Sequence, residues 1–162
     1  ALKDETGGIR IAGFADDVLP PAVEELTSWQ QLPFDEAAYQ RDEARVFALT
    51  GESGYGVLEK VWARPSLEIH GIAGGFTGEG AKTVIPCEAL VKMSCRLAAG
   101  QNPERAARLL AEAIRSATPA GARVELRVLH QARACVVDPD NRFVREAAVA
   151  MEEVFGRRAV YT

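Results

Sequence analysis

Apolar and polar positions alternate most cleanly in residues 84–97. Ala89, Val91, Met93, Cys95 and Leu97 share one face, while Glu88, Lys92, Ser94 and Arg96 share the other, with Leu90 as the exception. A period of two over this length predicts a half-buried strand. Residues 66–72 read as a shorter strand before it. Val124, Leu126 and Val128, alternating with Glu125 and Arg127, predict another after it. The run GIRIAG at 8–13 predicts a short strand that breaks at glycine.

A helix is predicted between the long strand and the one at 124. Asn102-Pro103-Glu104 offers a cap, a first-turn proline and an acid at the positive end of the dipole. Leu109, Leu110, Ala113, Ile114 and Ala117 then form its apolar stripe. A second helix follows the turn Asp138-Pro139-Asp140-Asn141, with Phe143, Ala147, Ala150, Met151, Val154 and Phe155 on one face and Gly156 as its stop. Arg157 to Thr162 reads as the start of a strand, which suggests a longer parent chain.

Residues 20–64 have a different texture. Pro21 suits a helix start, Asp35 caps another helix running to Arg45, and residues 52–62 predict a third that Pro65 ends. We read this region as a helical insertion between strands. The order of strand, loop, long strand, helix and strand predicts an α+β fold. It is an open-faced antiparallel sheet with helices on one face, at least half of a ferredoxin-like unit.

Composition narrows the function. With 162 residues, a net charge of −4 and no basic stripe, the chain offers nothing to nucleic acid. No apolar run approaches the roughly 20 residues that cross a bilayer, and residues 1–10 lack a signal-peptide core. Three cysteines without a CxxC pair fit neither a disulfide framework nor a zinc knuckle. Cys87, Cys95 and Cys135 are expected to be buried, inert thiols of a cytoplasmic protein.

Candidate chemistry is sparse. The loop GIAGGFTGEGAKT has glycines at 71, 74, 75, 78 and 80, which let a ligand come close to the backbone but equally suit a hairpin connection. It matches neither GxGxxG nor GxxxxGK[ST]. Thr83 stands where this loop enters the long strand. Arg96, near the far end of the strand's polar face, could fork onto a carboxylate or simply be solvated. His70 borders the loop without a second histidine or acid at useful spacing, and His130 is weaker still. HxD, HExxH and GxSxG motifs are absent, so these residues do not make a complete hydrolase. From the residues alone, a free-standing module that binds a small ligand, or one that only dimerises, stays open.

The run PSLEIHGIAGGFTGEGAKTVIPCEALVKMSCRL, from Pro65 to Leu97, resembles the lid-domain signature of carnosinase-like dipeptidases. These belong to the superfamily of acetylornithine deacetylase and succinyl-diaminopimelate desuccinylase. IAGFADDV, LPFDEAAY, GESGYGVLEKVWARP and VDPDNRFVREAAVAMEEVFGR extend the resemblance over essentially the whole chain. It implies a lid and dimerisation domain over 1–137, lacking its first strand and helix, and a return towards a catalytic domain over 138–162. The full-length enzyme would be a cytoplasmic homodimeric metallopeptidase, with two zinc or similar divalent ions in that catalytic domain, cleaving a dipeptide or other small amide. The threonine of KTVIP and the arginine of S-x-RL match Thr83 and Arg96. The resemblance implies that they hold substrate oxygens, Arg96 its carboxylate, with Gly74 and Gly75 in a loop nearby and the contacts able to cross the dimer. The family's HSG histidine has no counterpart here, and His70 does not inherit its role. No catalytic residue, metal ligand or cofactor is expected within the chain itself, which alone should neither bind metal stoichiometrically nor hydrolyse substrate.

Overall fold

A computed structural model describes residues 1–161. Two strands, β1 (Ser66–Gly74) and β2 (Ala89–Arg96), form an antiparallel hairpin. Ser66 pairs with Arg96 at one end and Gly74 with Ala89 at the other. β2 starts later than its alternation predicts. Pro86 has no N–H for a ladder, and the chain straightens into pairing only past it.

The register shifts between Ile69 and Gly71, leaving His70 as the extra residue of a β-bulge. Its effect is on facing. Leu67, Ile69, Ile72 and Gly74 lie opposite Cys95, Met93, Val91 and Ala89, so Ile69 and Ile72 share a face despite their odd spacing. Gly71 lies opposite Lys92, where an added Cβ would stand 3.2 Å from the Lys92 Cβ.

The helix α4 (Pro103–Ala117) begins as predicted, with Asn102 Oδ1 accepting from the Arg105 N–H at 2.9 Å. Ala106 is part of the core beneath it, joined by Leu109, Leu110 and Ala113. The centre of that core is Leu67 and Phe14, 1% and 2% exposed, with Ile11 beside them and Cys95 and Leu97 at its margin. α4 therefore covers the Arg96 end of the ladder's apolar face. Towards the loop end, Ile69, Ile72 and Val91 remain exposed.

Two predicted strands do not form. Residues 8–13 run from a tight turn over Asp4–Gly8, held by Asp4, into a second turn that starts at Ala12, with two isolated bridges, Lys3 to Ile9 and Gly7 to Gly51. Positive φ at Gly7 and Gly13 interrupts any ladder, although Ile9 and Ile11 still reach the core. Residues 124–129 are not part of a sheet; among the described residues, none of positions 123–137 enters a backbone hydrogen bond. Alternation chooses which face a strand shows but cannot supply the neighbouring backbone that a ladder requires. Tyr161 and the residues just before it are likewise outside any sheet, and Thr162 lies outside the described residues.

The insertion comprises α1 (Val23–Gln30), α2 (Glu36–Ala38) leading into a π-helical turn (Tyr39–Ala44), and α3 (Val57–Trp62). Asp35 caps α2 through the Ala38 N–H, and Arg45, at φ 53°, ends the π-helical turn. α3 is shorter than predicted because Gly54 and Gly56 hold the chain out of the helix until Glu59 caps the Gly56 N–H. Trp29 and Trp62 meet edge to face at 5.2 Å. Arg64 forks onto Glu52 with both contacts at 2.7 Å and lies 4.4 Å from the Tyr55 ring centroid. The last helix, α5 (Arg142–Phe155), ends at left-handed Gly156 as predicted, and Asn141 of the preceding turn caps its start. Its apolar residues Phe143, Met151, Val154 and Phe155 face solvent.

The expected burial of the thiols holds only in part. Cys95 is half-buried at the core margin, and burial pushes its thiol up from the ordinary range. Cys87 and Cys135 are exposed, because each lies in a segment outside the ladder with nothing packed over it. No helix among the described residues is long and apolar enough to cross a membrane.

Candidate functional site

The polar face of the hairpin carries Glu68, Lys92, Ser94 and Arg96, a consequence of the period of two. Lys3 Nζ neutralises Glu68 at 2.9 Å. Neither Lys92 nor Arg96 has an ion-pair partner among the described residues. Arg96 occupies the last rung of the ladder, opposite Ser66, with its side chain in solvent. Such a guanidinium can offer two parallel donors to a carboxylate.

The glycine-rich connection leaves from the other end. Gly74 closes β1 opposite Ala89, where an added Cβ would stand 3.2 Å from the Ala89 Cβ, and Gly75 turns the chain at φ 80°. Thr83 is exposed at the centre of a tight turn in which the Val84 N–H donates to the Lys82 carbonyl at 3.0 Å. The Lys82 ammonium lies 5.6 Å from the Phe76 ring centroid, which folds the loop back on itself.

Arg96 and the Gly74–Gly75 turn are therefore not neighbours. The span of β2 from Ala89 to Arg96 puts them about 23 Å apart at the usual strand rise. An extended dipeptide is only about 7 Å long. The two ends of this hairpin are therefore separate places on the surface of one chain.

His70 is exposed at the bulge, and His130 lies in the unpaired stretch after α4. No group of three His, Cys, Asp or Glu among the described residues is arranged to hold a metal ion, so the residues present do not fit a catalytic metal. Sequence reasoning missed the residues that hold Arg96's surroundings in place. Gln101 is buried behind β2, and Arg105 ties α4 to Gly13 and Asp17. The Phe14 carbonyl that Gln101 reaches and both Arg105 partners lie far away in sequence, so no local pattern announces them.

The profile of the family described as "Peptidase dimerisation domain" matches residues 11–122. Human Beta-Ala-His dipeptidase is 36% identical over 63% of this chain and 20% of its own length. A Cys-Gly metallodipeptidase of Candida albicans is 31% identical over 95% of this chain and 32% of its own. Among solved structures, a dipeptidase from Saccharomyces cerevisiae superposes with a TM-score of 0.79 at 27% identity, over 99% of this chain and 34% of that one. The chain thus spans between 20% and 34% of the length of these relatives. On the extent of the profile match, over two-thirds of its residues, the chain belongs to the peptidase dimerisation domain family.

Proposed function

We propose that this chain is the lid and dimerisation domain of a metal-dependent dipeptidase, with Arg96 receiving the substrate's terminal carboxylate. The observation that carries this reading is an unpaired guanidinium at the end of a rigid ladder, in a family whose curated relatives are named for dipeptide cleavage. Residues 1–137 form the lid and 138–162 lead towards the catalytic domain. That domain, rather than any group within residues 1–161, holds the divalent ions, for which two zinc ions are the expected complement. Bound there, they would supply the activated water for amide hydrolysis.

Thr83 binds a second substrate oxygen, with Gly74 and Gly75 shaping the loop beside it. The separation of this loop from Arg96 along the hairpin supports contacts drawn from two subunits of a homodimer, one giving Arg96 and the other Thr83. The free outer edge of β2 and the bare side chains of Ile69, Ile72 and Val91 support a larger ferredoxin-like sheet, in which a further strand and helix stand beside β2.

The test uses the full-length protein and two substrates, cysteinyl-glycine and its C-terminal amide. Arg96→Ala should raise KM for the free acid at least ten-fold, leave the amide almost unaffected, and leave the dimer intact by sedimentation. An equal effect on both substrates removes the carboxylate role, and dissociation into monomers makes Arg96 an interface residue instead.

A further inference from the structure

Gln101 is a buried polar side chain, 5% exposed, and both ends of its amide are engaged. Oε1 accepts from the Ala98 N–H at 2.8 Å, and Nε2 donates to the Phe14 carbonyl at 2.6 Å. This lies just beyond the last rung of the ladder, Ser66 with Arg96. The residue before Ser66 is Pro65, which has no N–H to give a further rung. β2 therefore loses its partner strand directly after Arg96. The Gln101 amide takes over, holding the strand's continuation at Ala98 and joining it to the buried Phe14 segment. Two neighbouring contacts hold the same stretch. The Leu19 N–H donates to the Ala99 carbonyl at 2.9 Å, and Gly100, at φ 85°, packs against the Asp17 carbonyl.

We infer that Gln101 is a positioning residue for Arg96, fixing the end of β2 so that the guanidinium is presented at a set place and angle. The inference rests on the reading of Arg96 as the carboxylate contact. It differs from a purely structural role in one respect. A structural glutamine affects stability, whereas a positioning glutamine affects substrate binding only while Arg96 is present.

A double-mutant cycle in the full-length protein separates these, assayed with cysteinyl-glycine well below the melting temperature. Gln101→Met keeps the side chain's length and removes both hydrogen bonds. Gln101→Glu keeps the acceptor for Ala98 and loses the donor to Phe14. Each should raise KM three- to ten-fold with kcat changed less than two-fold. In the Arg96→Ala background the same changes should leave KM where Arg96→Ala alone puts it, because non-additivity marks residues acting through one another. Additive effects, or an unchanged KM in both single variants, overturn the inference while leaving the Arg96 reading intact. An unchanged KM in Arg96→Ala overturns both. If neither variant folds, amide exchange in the unmodified protein decides. Ala98 should exchange among the slowest amides of residues 1–137, and a fast-exchanging Ala98 overturns the inference.

Discussion

Arg105 Nη1 donates to the Gly13 carbonyl at 2.9 Å, joining the first turn of α4 to the loop that delivers Phe14 to the core. The same nitrogen reaches Asp17 Oδ2 at 2.8 Å, so one planar group holds two points of a loop that has little regular structure of its own. A lysine ammonium has enough protons for both contacts, but it stands on a shorter side chain and lacks the planar group that fixes their directions. Arg105→Lys keeps the charge and should cost about 1 kcal/mol, lowering the melting temperature by about 2–4 °C. A melting temperature matching that of the parent would show that charge alone is sufficient.

Two glycines with positive φ should respond very differently to a methyl group. At Gly100, φ is 85° and an added Cβ would fall on the Asp17 carbonyl oxygen and 2.7 Å from Leu19 Cγ. At Gly156, φ is 63° and nothing lies within 4 Å. Gly156→Ala should cost about 1–2 kcal/mol, the conformational penalty alone. Gly100→Ala should cost more than this, because backbone must also move. Denaturant midpoints of the two variants check the order, and equal midpoints would contradict the contact.

Thiol reactivity should follow exposure. Cys87 and Cys135 are in solvent, while Cys95 is half-buried and its thiol is pushed up by burial. Less thiolate and less access act in the same direction. A thiol reagent at neutral pH, followed by mass spectrometry, should label Cys87 and Cys135 quickly and Cys95 slowly. Labelling of Cys95 at the same rate would show that the margin of the core opens readily.

The amino-terminal turn should loosen in acid. The Asp4 carboxylate accepts first from the Thr6 hydroxyl at 2.7 Å and also from the Gly8 and Thr6 amides, which holds it below the usual carboxylate range. A lowered folded value favours the folded turn above the unfolded pKa, and that contribution disappears as pH falls through the folded value. The Gly8 amide shift in NMR should follow this titration, and Thr6→Ala should move its midpoint upward. A midpoint unmoved by Thr6→Ala would remove the hydroxyl from the cause.

Much of this fold is legible along the chain where the signal is local. The caps at Asp35, Asn102 and Asn141 each bond a backbone amide two or three residues on, and each helix start follows from them. The bulge at His70 is not legible: residues 66–72 read as a plain strand, and only the pairing with β2 shows that Ile69 and Ile72 share a face. Residues 124–129 show the limit. Their alternation is as clear as that of β2, yet they remain unpaired, because pairing depends on a second backbone that no local pattern describes.

The candidate site divides in the same way. The pattern of β2 by itself determined that Arg96 stands on the polar face and Cys95 on the apolar one, because side chains alternate at every residue of a strand. Only the tertiary structure decided that the Gly74–Gly75 turn lies at the opposite end of the ladder from Arg96, and that Gln101 secures the end Arg96 stands on. The Gln101 bond to Phe14 spans 87 positions. Contacts of that range are set by how β2, α4 and the Phe14 loop pack around Leu67, and packing is a property of the whole arrangement rather than of any segment.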